Sequence, residues 1–384
     1  MNIAFLALGI LILLAYLMLN FYVGLRSYHG LKAFMPSLPR VVFWPIFLVI
    51  AFSFILGRVF TIELSFFNTL GMYWIAVFLY LLMFYILIDL IGLLNTHFKL
   101  VPETWRHYWR SKKVYVFGLV LTIVILVFGS WSAQTIRMSQ YNLEIKNKTT
   151  DISKIKAVLI ADLHLDSLAN TTHLEKAAHE ITSLNPDIIL LAGDIFENYL
   201  DLDVIDEIDG IFDALQAKHG IYAVLGNHEY YGGQDAQIIE YLEQKGIVVL
   251  VDEVTEAIDG DLYIAGRNDY GSGHMMEIGE RRKSVEDILI DVDHSKPIIL
   301  LDHQPQEVKE ASTAGVDLML SGHTHGGQLF PIQIFTKALF IIDRGHWQDE
   351  NFNLVVTTGL GTWGPPVRTN TKSEIVIMDI TFSD

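Results

Sequence analysis

The distribution of apolar residues divides the chain into two parts. Four long apolar runs cover residues 3–23, 41–60, 71–94 and 114–131. Each is close to the roughly 20 residues that a helix needs to cross a hydrocarbon core about 30 Å thick. The charged residues inside them, Arg58 and Asp89, lie near the ends, where a charged tip can reach the interface. Because soluble helices are rarely apolar on all faces, the pattern predicts four transmembrane helices in residues 1–137 rather than a buried bundle in a soluble protein.

After residue 137 the pattern changes. Residues 138–152 are polar and are predicted to be a linker. Short apolar runs such as KAVLIADLH, DIILLAGD and IYAVLGNHE then alternate with amphipathic stretches such as HLEKAAHEITSL. Alternating strands and helices predict an α/β domain over residues 153–384, with its sheet covered on both faces. Residues 339–382 carry mostly strand signals.

Charge separates the same two parts. Residues 1–137 hold 10 Lys and Arg against 3 Asp and Glu, whereas residues 138–384 hold 17 against 41, a net charge of −24. Such an acidic domain argues against nucleic acid as a partner, because that binding depends on Lys and Arg at the phosphates. The chain has no cysteine, which excludes disulfides and thiolate metal sites.

The basic residues of the first part predict its orientation. They concentrate in the first and third loops, and positively charged loops stay in the cytoplasm. Four crossings then place the second part outside, so we expect an integral protein of a bacterial plasma membrane with an extracytoplasmic domain. The first run lacks a preceding basic region and is too long for a signal peptide, so it is predicted to be retained. The loop residues are Arg26, Lys32, Arg40, Lys99, Arg106, Arg110, Lys112 and Lys113.

Polar side chains follow the predicted strands at the points where the strands end. Ligand sites of open α/β sheets form beyond the carboxyl ends of strands, and burying such a set without a partner is costly. Oxygen and imidazole ligands without thiolate suit Mn²⁺, Zn²⁺ or Fe. Seven ligands exceed what one ion uses, so two ions sharing Asp194 are predicted; such a pair can clamp a phosphoryl group and lower the pKa of a bridging water. The seven are Asp162, His164, Asp194, Asn227, His303, His323 and His325.

These residues belong to five motifs: DLH at 162–164, GDIFE at 193–197, GNHE at 226–229, the single His303, and GHTH at 322–325. Present together and in this order, they resemble the calcineurin-like metallophosphoesterases over about residues 160–382. The resemblance implies a two-sheet β-sandwich flanked by helices. The segments GHTHGGQ and GLGTWGPPVR are similar to the membrane-attached branch, which includes YkuE-like and YaeI-like phosphoesterases and the transmembrane protein with a metallophosphoesterase domain.

The resemblance also implies roles for individual residues. His228 would contact the phosphate and protonate or stabilise the leaving oxygen. Glu197 stands where the family has aspartate, in a supporting position. The first metal would be held by Asp162, His164, Asp194 and His325, and the second by Asp194, Asn227, His303 and His323.

Two further residues allow alternative interpretations. Arg368 ends a loop rich in Gly and Pro, so it could present its guanidinium to a phosphate or be a solvated turn residue. His274 lies in a Gly-rich loop and could line the substrate cleft, or its segment HMM, with nearby apolar residues, could contact lipid.

The predicted function is hydrolysis of a phosphoester, phosphodiester or pyrophosphate bond by metal-activated water. Four membrane spans hold the site near the bilayer, which favours a lipid or lipid-linked substrate. Since one span would suffice for anchoring, the helices could also form a lipid path or a homo-oligomer interface. The alternatives are a protein or nucleotide phosphatase, or a non-catalytic membrane sensor; a sensor would have no need of His228 beside a full ligand set.

Overall fold

The computed structural model describes residues 3–59, 65–100, 102–104, 111–166, 171–197, 200, 205–270 and 282–383. The chain forms two compact units. One comprises Met1–Ser130 with Gly364–Val367, and the other Trp131–Trp363 with Arg368–Asp384.

The first unit is helical. Among the described residues, three of its helices are long and apolar enough to cross a membrane, namely α1, α4 and α5. The helices are α1 (Ile3–Leu31), α2 (Arg40–Ala51), α3 (Ser53–Val59), α4 (Ser65–Phe98) and α5 (Lys113–Ala133). The predicted count of four spans is therefore not confirmed.

The second apolar run is divided at Phe52 into α2 and α3. The Ser53 hydroxyl donates to the carbonyl oxygen of Ile50 at 2.7 Å, a local bond that competes with regular helix geometry. The interruption is short, because the Phe52 amide still donates to Leu48 O and the Leu56 amide to Phe52 O, both at 2.9 Å. Backbone hydrogen bonding thus continues through the break.

Asp89 is paired rather than solvated. Its Oδ2 lies 2.5 Å from Nη2 of Arg26 and accepts a hydrogen bond from the Tyr22 hydroxyl at 2.7 Å. An ion pair between α1 and α4 lowers the cost of a carboxylate in an apolar helix.

The second unit contains two six-stranded sheets. The first has the order β1-β12-β2-β3-β4-β5 and the second β10-β11-β9-β8-β7-β6. The strands are β1 (Ile136–Lys146), β2 (Lys154–Ile160), β3 (Ile188–Ala192), β4 (Ile221–Val224), β5 (Ile247–Val249), β6 (Glu253–Ala257), β7 (Leu262–Gly266), β8 (Ile298–Leu301), β9 (Leu318–Ser321), β10 (Gly345–Asp349), β11 (Phe352–Val356) and β12 (Ser373–Ser383). Strands β2 to β5 are mutually parallel, as are β7, β8, β9 and β11.

Helices cover the outer faces of the sheets. Those described are α6 (Thr171–Ser183), α7 (Ile205–Ala214), α8 (Asn227–Tyr231), α9 (Asp235–Gln244), α10 (Val285–Ile288), α11 (Val308–Thr313) and α12 (Gln333–Leu339). One core packs Val158 and Ile189 of the first sheet against α6, α7 and α9. A second core lies between the sheets, where Leu159 and Leu190 meet Leu320. The predicted two-sheet α/β domain is confirmed.

The linker predicted over residues 138–152 is wrong for its first nine residues. They belong to β1, which pairs in parallel register with β12 from Ile136 opposite Ser373 to Lys146 opposite Ser383. The strand is amphipathic, with Leu143 and Ile145 buried between the sheets. Its outward side chains are mostly polar, which is why the segment resembles a linker in sequence.

We expect Ile145→Ala to lower the free energy of unfolding by about 2–4 kcal/mol, because it removes a fully buried side chain from the inter-sheet core. Met138→Ala is the matched control, since Met138 is on the same strand but is exposed. Urea denaturation of the full chain in detergent, followed by tryptophan fluorescence, measures the difference. Two equal, negligible effects would mean that the segment is a linker after all.

Candidate metal centre

The seven candidate ligands meet because the strands that precede them end at the same edge of the two sheets. Short backbone hydrogen bonds join their loops. The Asp162 amide donates to Gly193 O at 2.9 Å, and the His164 amide to Asp194 O at 3.1 Å. The Gly322 amide donates to His303 O at 2.9 Å, which joins the loops after β8 and β9.

Five of the seven candidates have a left-handed backbone. Their φ angles are 54° at Asp162, 49° at His164, 50° at Asp194, 68° at His323 and 48° at His325. This region costs a non-glycine residue of order 1–2 kcal/mol, so it persists only where surrounding contacts impose it. Such strain concentrates at functional sites.

Two glycines allow the loops to approach these carboxylates. A Cβ atom on Gly226 would lie 2.2 Å from Oδ1 of Asp194, and one on Gly322 would lie 2.4 Å from Oδ2 of Asp162. Both distances are far inside van der Waals contact. Any side chain at either position would displace a candidate ligand.

The first group of donor atoms consists of Asp162, His164 and His325, all buried. The Nε2 atoms of His164 and His325 lie 3.1 Å apart. His325 Nε2 is also 3.4 Å from Oδ1 of Asp162. The donor atoms of this group all lie within 4.8 Å of one another, so one cation could contact all three.

The second group consists of Asp194, His303 and His323. His303 Nδ1 is 2.7 Å from Ala192 O, which turns Nε2 toward Oδ2 of Asp194 at 3.1 Å. Oδ1 of Asn227 is buried without a hydrogen-bond partner in the described part of the chain. A buried hydrogen-bond acceptor without a partner lowers the stability of the folded protein unless a cation binds it. The residues present therefore fit a metal site.

The electrostatics of the two groups favour a cation. Burial raises the pKa of Asp162 to about 6. Burial alone would also raise the pKa of Asp194, but the neighbouring His303 and His164 hold it well below its usual range. Burial, together with His303, lowers the pKa of His323 to about 3. The pKa of His325 is lowered well below its usual range by burial and by His164. The carboxylates act in the opposite direction on the other two rings: despite burial, Glu197 raises the pKa of His164, and Asp194 raises that of His303 well above its usual range, so a metal bound at either ring would replace a proton.

Glu197 orients both His164 and His228. Its Oε2 lies 2.6 Å from His164 Nδ1, so the opposite nitrogen of that ring faces the cluster. Its backbone oxygen lies 2.8 Å from His228 Nδ1. A carboxylate behind a ligating histidine fixes the tautomer and the ring position. The longer glutamate therefore serves the supporting role expected of it.

Sequence reasoning missed the role of Glu229. This fully buried carboxylate accepts hydrogen bonds from the amides of Gly226 at 2.7 Å, Phe196 at 2.8 Å and Asp194 at 3.2 Å. Burial, and next the charge of Asp194, raises its pKa to about 7. The residue binds the loop after β3 to the loop after β4. The only sequence signal is its place in GNHE.

Arg368 is not a solvated turn residue, because it is the largest fully buried side chain among the described residues. Contact with a phosphate stays a prediction. Nη2 of Arg368 donates to the carbonyl oxygens of Thr358 at 2.8 Å, Gly359 at 3.1 Å and Gly361 at 2.5 Å. The same atom lies 3.2 Å from Nδ1 of His325. Arg368 thus supports the centre from behind by holding a turn and a histidine together.

That turn packs directly on Asp162. The Gly361 amide donates to Asp162 O at 2.8 Å. A Cβ on Gly359 would lie 2.7 Å from the Cβ of Asp162. The arginine therefore acts on two of the three members of the first donor group, Asp162 through the turn and His325 directly. The other uncertain residue, His274, lies outside the described residues.

A two-sheet α/β fold with a buried Asp and His cluster at its strand ends defines the class of metal-dependent phosphoesterases, and the comparisons agree. Residues 155–327 match the family described as calcineurin-like phosphoesterase. The chain is 31% identical over 265 residues to an uncharacterized metallophosphoesterase of Aquifex aeolicus, covering 68% of this chain and 98% of that one. The chain belongs to the calcineurin-like metallophosphoesterases, and it is a metal-dependent phosphoesterase of this dinuclear-metal family.

Membrane-attached relatives are among the similar proteins. The chain is 28% identical over 269 residues to the transmembrane protein with metallophosphoesterase domain of Danio rerio, covering 68% of this chain and 61% of that one. Among solved structures it is similar to the protein TT1561 of Thermus thermophilus, with a TM-score of 0.35 and 14% identity over 53% of this chain and 89% of that one. The apolar helices and the Danio rerio relative indicate a membrane protein.

We expect Arg368→Ala to destabilise the domain by about 3 kcal/mol or more, because it leaves several buried carbonyl groups without a donor. Arg368→Lys should recover only part of this stability. An ammonium group can still donate to the carbonyl groups, but it lacks the planar fork that reaches both the turn and Thr371. Lys372→Ala, at an exposed residue of the same segment, is the control. Thermal unfolding in detergent measures stability. A raised KM with unchanged stability in Arg368→Ala would instead indicate contact with substrate.

Proposed function

We propose that this protein is a membrane-anchored phosphoesterase that uses two divalent ions to hydrolyse a phosphoester, phosphodiester or pyrophosphate bond of a lipid or lipid-linked substrate. The observation that carries the chemistry is the convergence of two donor groups on either side of Asp194. Asp194 belongs to one group and lies within reach of the other, with His164 Nε2 4.0 Å from its Oδ2.

The proposed ligands divide between the two ions. Asp194 is the shared ligand, and the orphaned Oδ1 of Asn227 supports the inclusion of that amide in the second site. One ion would be held by Asp162, His164, Asp194 and His325, and the other by Asp194, Asn227, His303 and His323. This donor set of oxygen and imidazole nitrogen suits Mn²⁺, Zn²⁺ or Fe.

When bound, ions of this kind neutralise phosphoryl oxygens and make the attacking water more acidic. The chain's own residues do the remaining work. Asp162 and Asp194 supply negative charge in a buried setting, where the attraction of a cation is strong. Glu197 and the Ala192 carbonyl hold His164 and His303 in place.

His228 is proposed to serve the leaving group. Its Nδ1 bonds to Glu197 O, which assigns the proton to Nδ1 in the neutral ring. Nε2 is then the nitrogen available to the substrate. Its donor atom lies within 4.8 Å of those of His164 and Asp194, so the ring is beside the proposed metal sites. When the ring is doubly protonated, Nε2 also carries a hydrogen and can donate it to the departing oxygen, which leaves the neutral Nδ1–H ring; such a role typically contributes about 10²- to 10⁴-fold.

The proposed location is the extracytoplasmic side of a bacterial plasma membrane. This topology requires α2 and α3 to cross as one kinked helix, which the continuing hydrogen bonds at Phe52 support. A three-span arrangement would place the first and third loops on opposite sides, although both are basic. Four crossings would keep both basic loops in the cytoplasm, and this supports four crossings more strongly than the hydrogen bonds at Phe52 do.

We expect Asp194→Asn and His228→Ala each to lower turnover of bis-p-nitrophenyl phosphate by about 100-fold or more. Bound metal, measured by elemental analysis of the purified full chain, should fall only in Asp194→Asn, because His228 is not a proposed ligand. His179→Ala, at an exposed histidine of α6, is the control and should change neither quantity. Loss of metal in His228→Ala would reassign that residue as a ligand.

Single cysteines test the topology, since the chain has none of its own. An impermeant maleimide applied to intact cells should label Lys218→Cys in the domain and leave Lys112→Cys unlabelled until the cells are opened. Both positions are exposed, so reactivity is matched. The reverse pattern would place the phosphoesterase domain in the cytoplasm.

A further inference from the structure

Beside the candidate metal centre lies an apolar surface that the chemistry does not use. Helix α12 and its flanks carry large hydrophobic side chains, and no residue of α12 is buried. Leu339 is 77% exposed and Phe335 65% exposed. We name this surface the apolar rim; it consists of the exposed side chains of Phe330, Ile334, Phe335, Leu339, Ile341 and Trp363.

The rim is built onto the metal centre. The rings of Phe340 and the candidate ligand His323 are 6.3 Å apart between centroids. Gln328, three residues after His325, holds the loop of Trp363 by two hydrogen bonds, donating to Trp363 O at 2.9 Å and accepting from its amide at 3.1 Å. The Phe330 amide donates to the Thr369 hydroxyl oxygen at 2.9 Å. The backbone of the rim is therefore fixed although its side chains are exposed.

The charge of the rim differs from that of its domain. Residues 329–342 contain one basic residue, Lys337, and no acidic residue. The remainder of the domain is strongly acidic. A surface freed of carboxylates and carrying an ammonium group is not repelled by the phosphates of lipid headgroups. Apolar and aromatic side chains beside a basic residue are the composition of interfacial membrane contacts.

We propose that the apolar rim inserts into the headgroup and acyl boundary of the bilayer that holds the chain's own apolar helices. We favour the bilayer over another protein as the partner of the rim. The apolar helices of the same chain keep the domain near a bilayer, whereas another protein would have to be recruited. Amphiphilic phosphoesters have their phosphate directly beside apolar chains. The protein has a matching arrangement, because the metal centre that would bind the phosphate adjoins an apolar rim that can contact the chains.

The proposed contact with the bilayer is inferred from the exposed residues of the apolar rim alone. The further proposal that this contact helps to capture substrate rests on the proposed phosphoesterase function. With substrate held in the membrane, the rim would present the metal centre to phosphates at the surface. A soluble phosphoester needs no such contact. The two substrate types should therefore respond differently to changes in the rim.

A single-cysteine label tests the contact. Phe335→Cys and Ile290→Cys are each labelled with an environment-sensitive dye in the full chain, reconstituted in vesicles containing doxyl-labelled phosphatidylcholine. Ile290 is the matched control because it is an equally apolar, exposed residue close to Asp291 and Asp293. We expect several-fold stronger quenching at position 335. Equal quenching at both positions would overturn the proposal, as would self-quenching that rises with protein density, which would indicate a second copy on the rim.

Activity tests the use of the contact. We expect the double variant Phe335→Ser/Leu339→Ser to lose roughly tenfold or more of the rate on a vesicle-borne lipid phosphoester, because two side chains no longer enter the apolar layer. Its rate on bis-p-nitrophenyl phosphate should be unchanged, and Ile290→Ser should affect neither rate. If the unaltered protein hydrolyses no lipid, the proposed lipid substrate fails, while the quenching result still decides the membrane contact. An equal loss on both substrates would overturn the role in capture.

Discussion

The structure depends on the cost of burying two carboxylates and five imidazole or amide groups at one edge of the sheets. Such groups are stable in a low-dielectric site only if they satisfy one another or share a cation. Here they do so only in part: His303 Nε2 lies 3.1 Å from Asp194 Oδ2, but Asn227 Oδ1 has no hydrogen-bond partner in the described part of the chain. The strained backbone at Asp162, Asp194 and His325 adds to the cost. The fold therefore holds the donor atoms close together, partly paired with each other and partly unsatisfied, in a cluster that a cation could stabilise.

The remainder of the domain supplies what keeps those atoms in place. Parallel strands bring the loops to one edge, and buried groups behind the loops fix them. Glu229 binds three amides of the loops after β3 and β4, and Arg368 binds three carbonyl oxygens of a single turn. One is an anion among donors and the other a cation among acceptors. Both are fully buried, so each depends on these bonds for its own stability.

The sequence predicted the sheets and the cluster well because both have local signals. The apolar run KAVLIA ends immediately before Asp162, and the histidines follow strands in the same way. Prediction from the sequence failed where contacts between distant parts of the chain determine the structure. The segment of β1 is polar enough to resemble a linker until β12, more than 200 residues later, provides its partner. The burial of Arg368 has no signal in the residues around it in sequence, so its hydrogen bonds to the turn were not predicted. The break at Phe52, where the Ser53 hydroxyl donates to Ile50 O, has no signal in the hydropathy of the run.

The acidic charge of the domain and the apolar rim both bear on how a substrate would reach the metal centre. An acidic domain does not attract polyanions from a distance, so long-range charge would not bring the proposed substrates to the site. A membrane can do so, because it confines substrate and protein to one surface. The absence of acidic residues from 329 to 342 is then the necessary counterpart of the acidity elsewhere. It leaves one part of the surface, adjoining His323, that can approach lipid phosphates without repulsion.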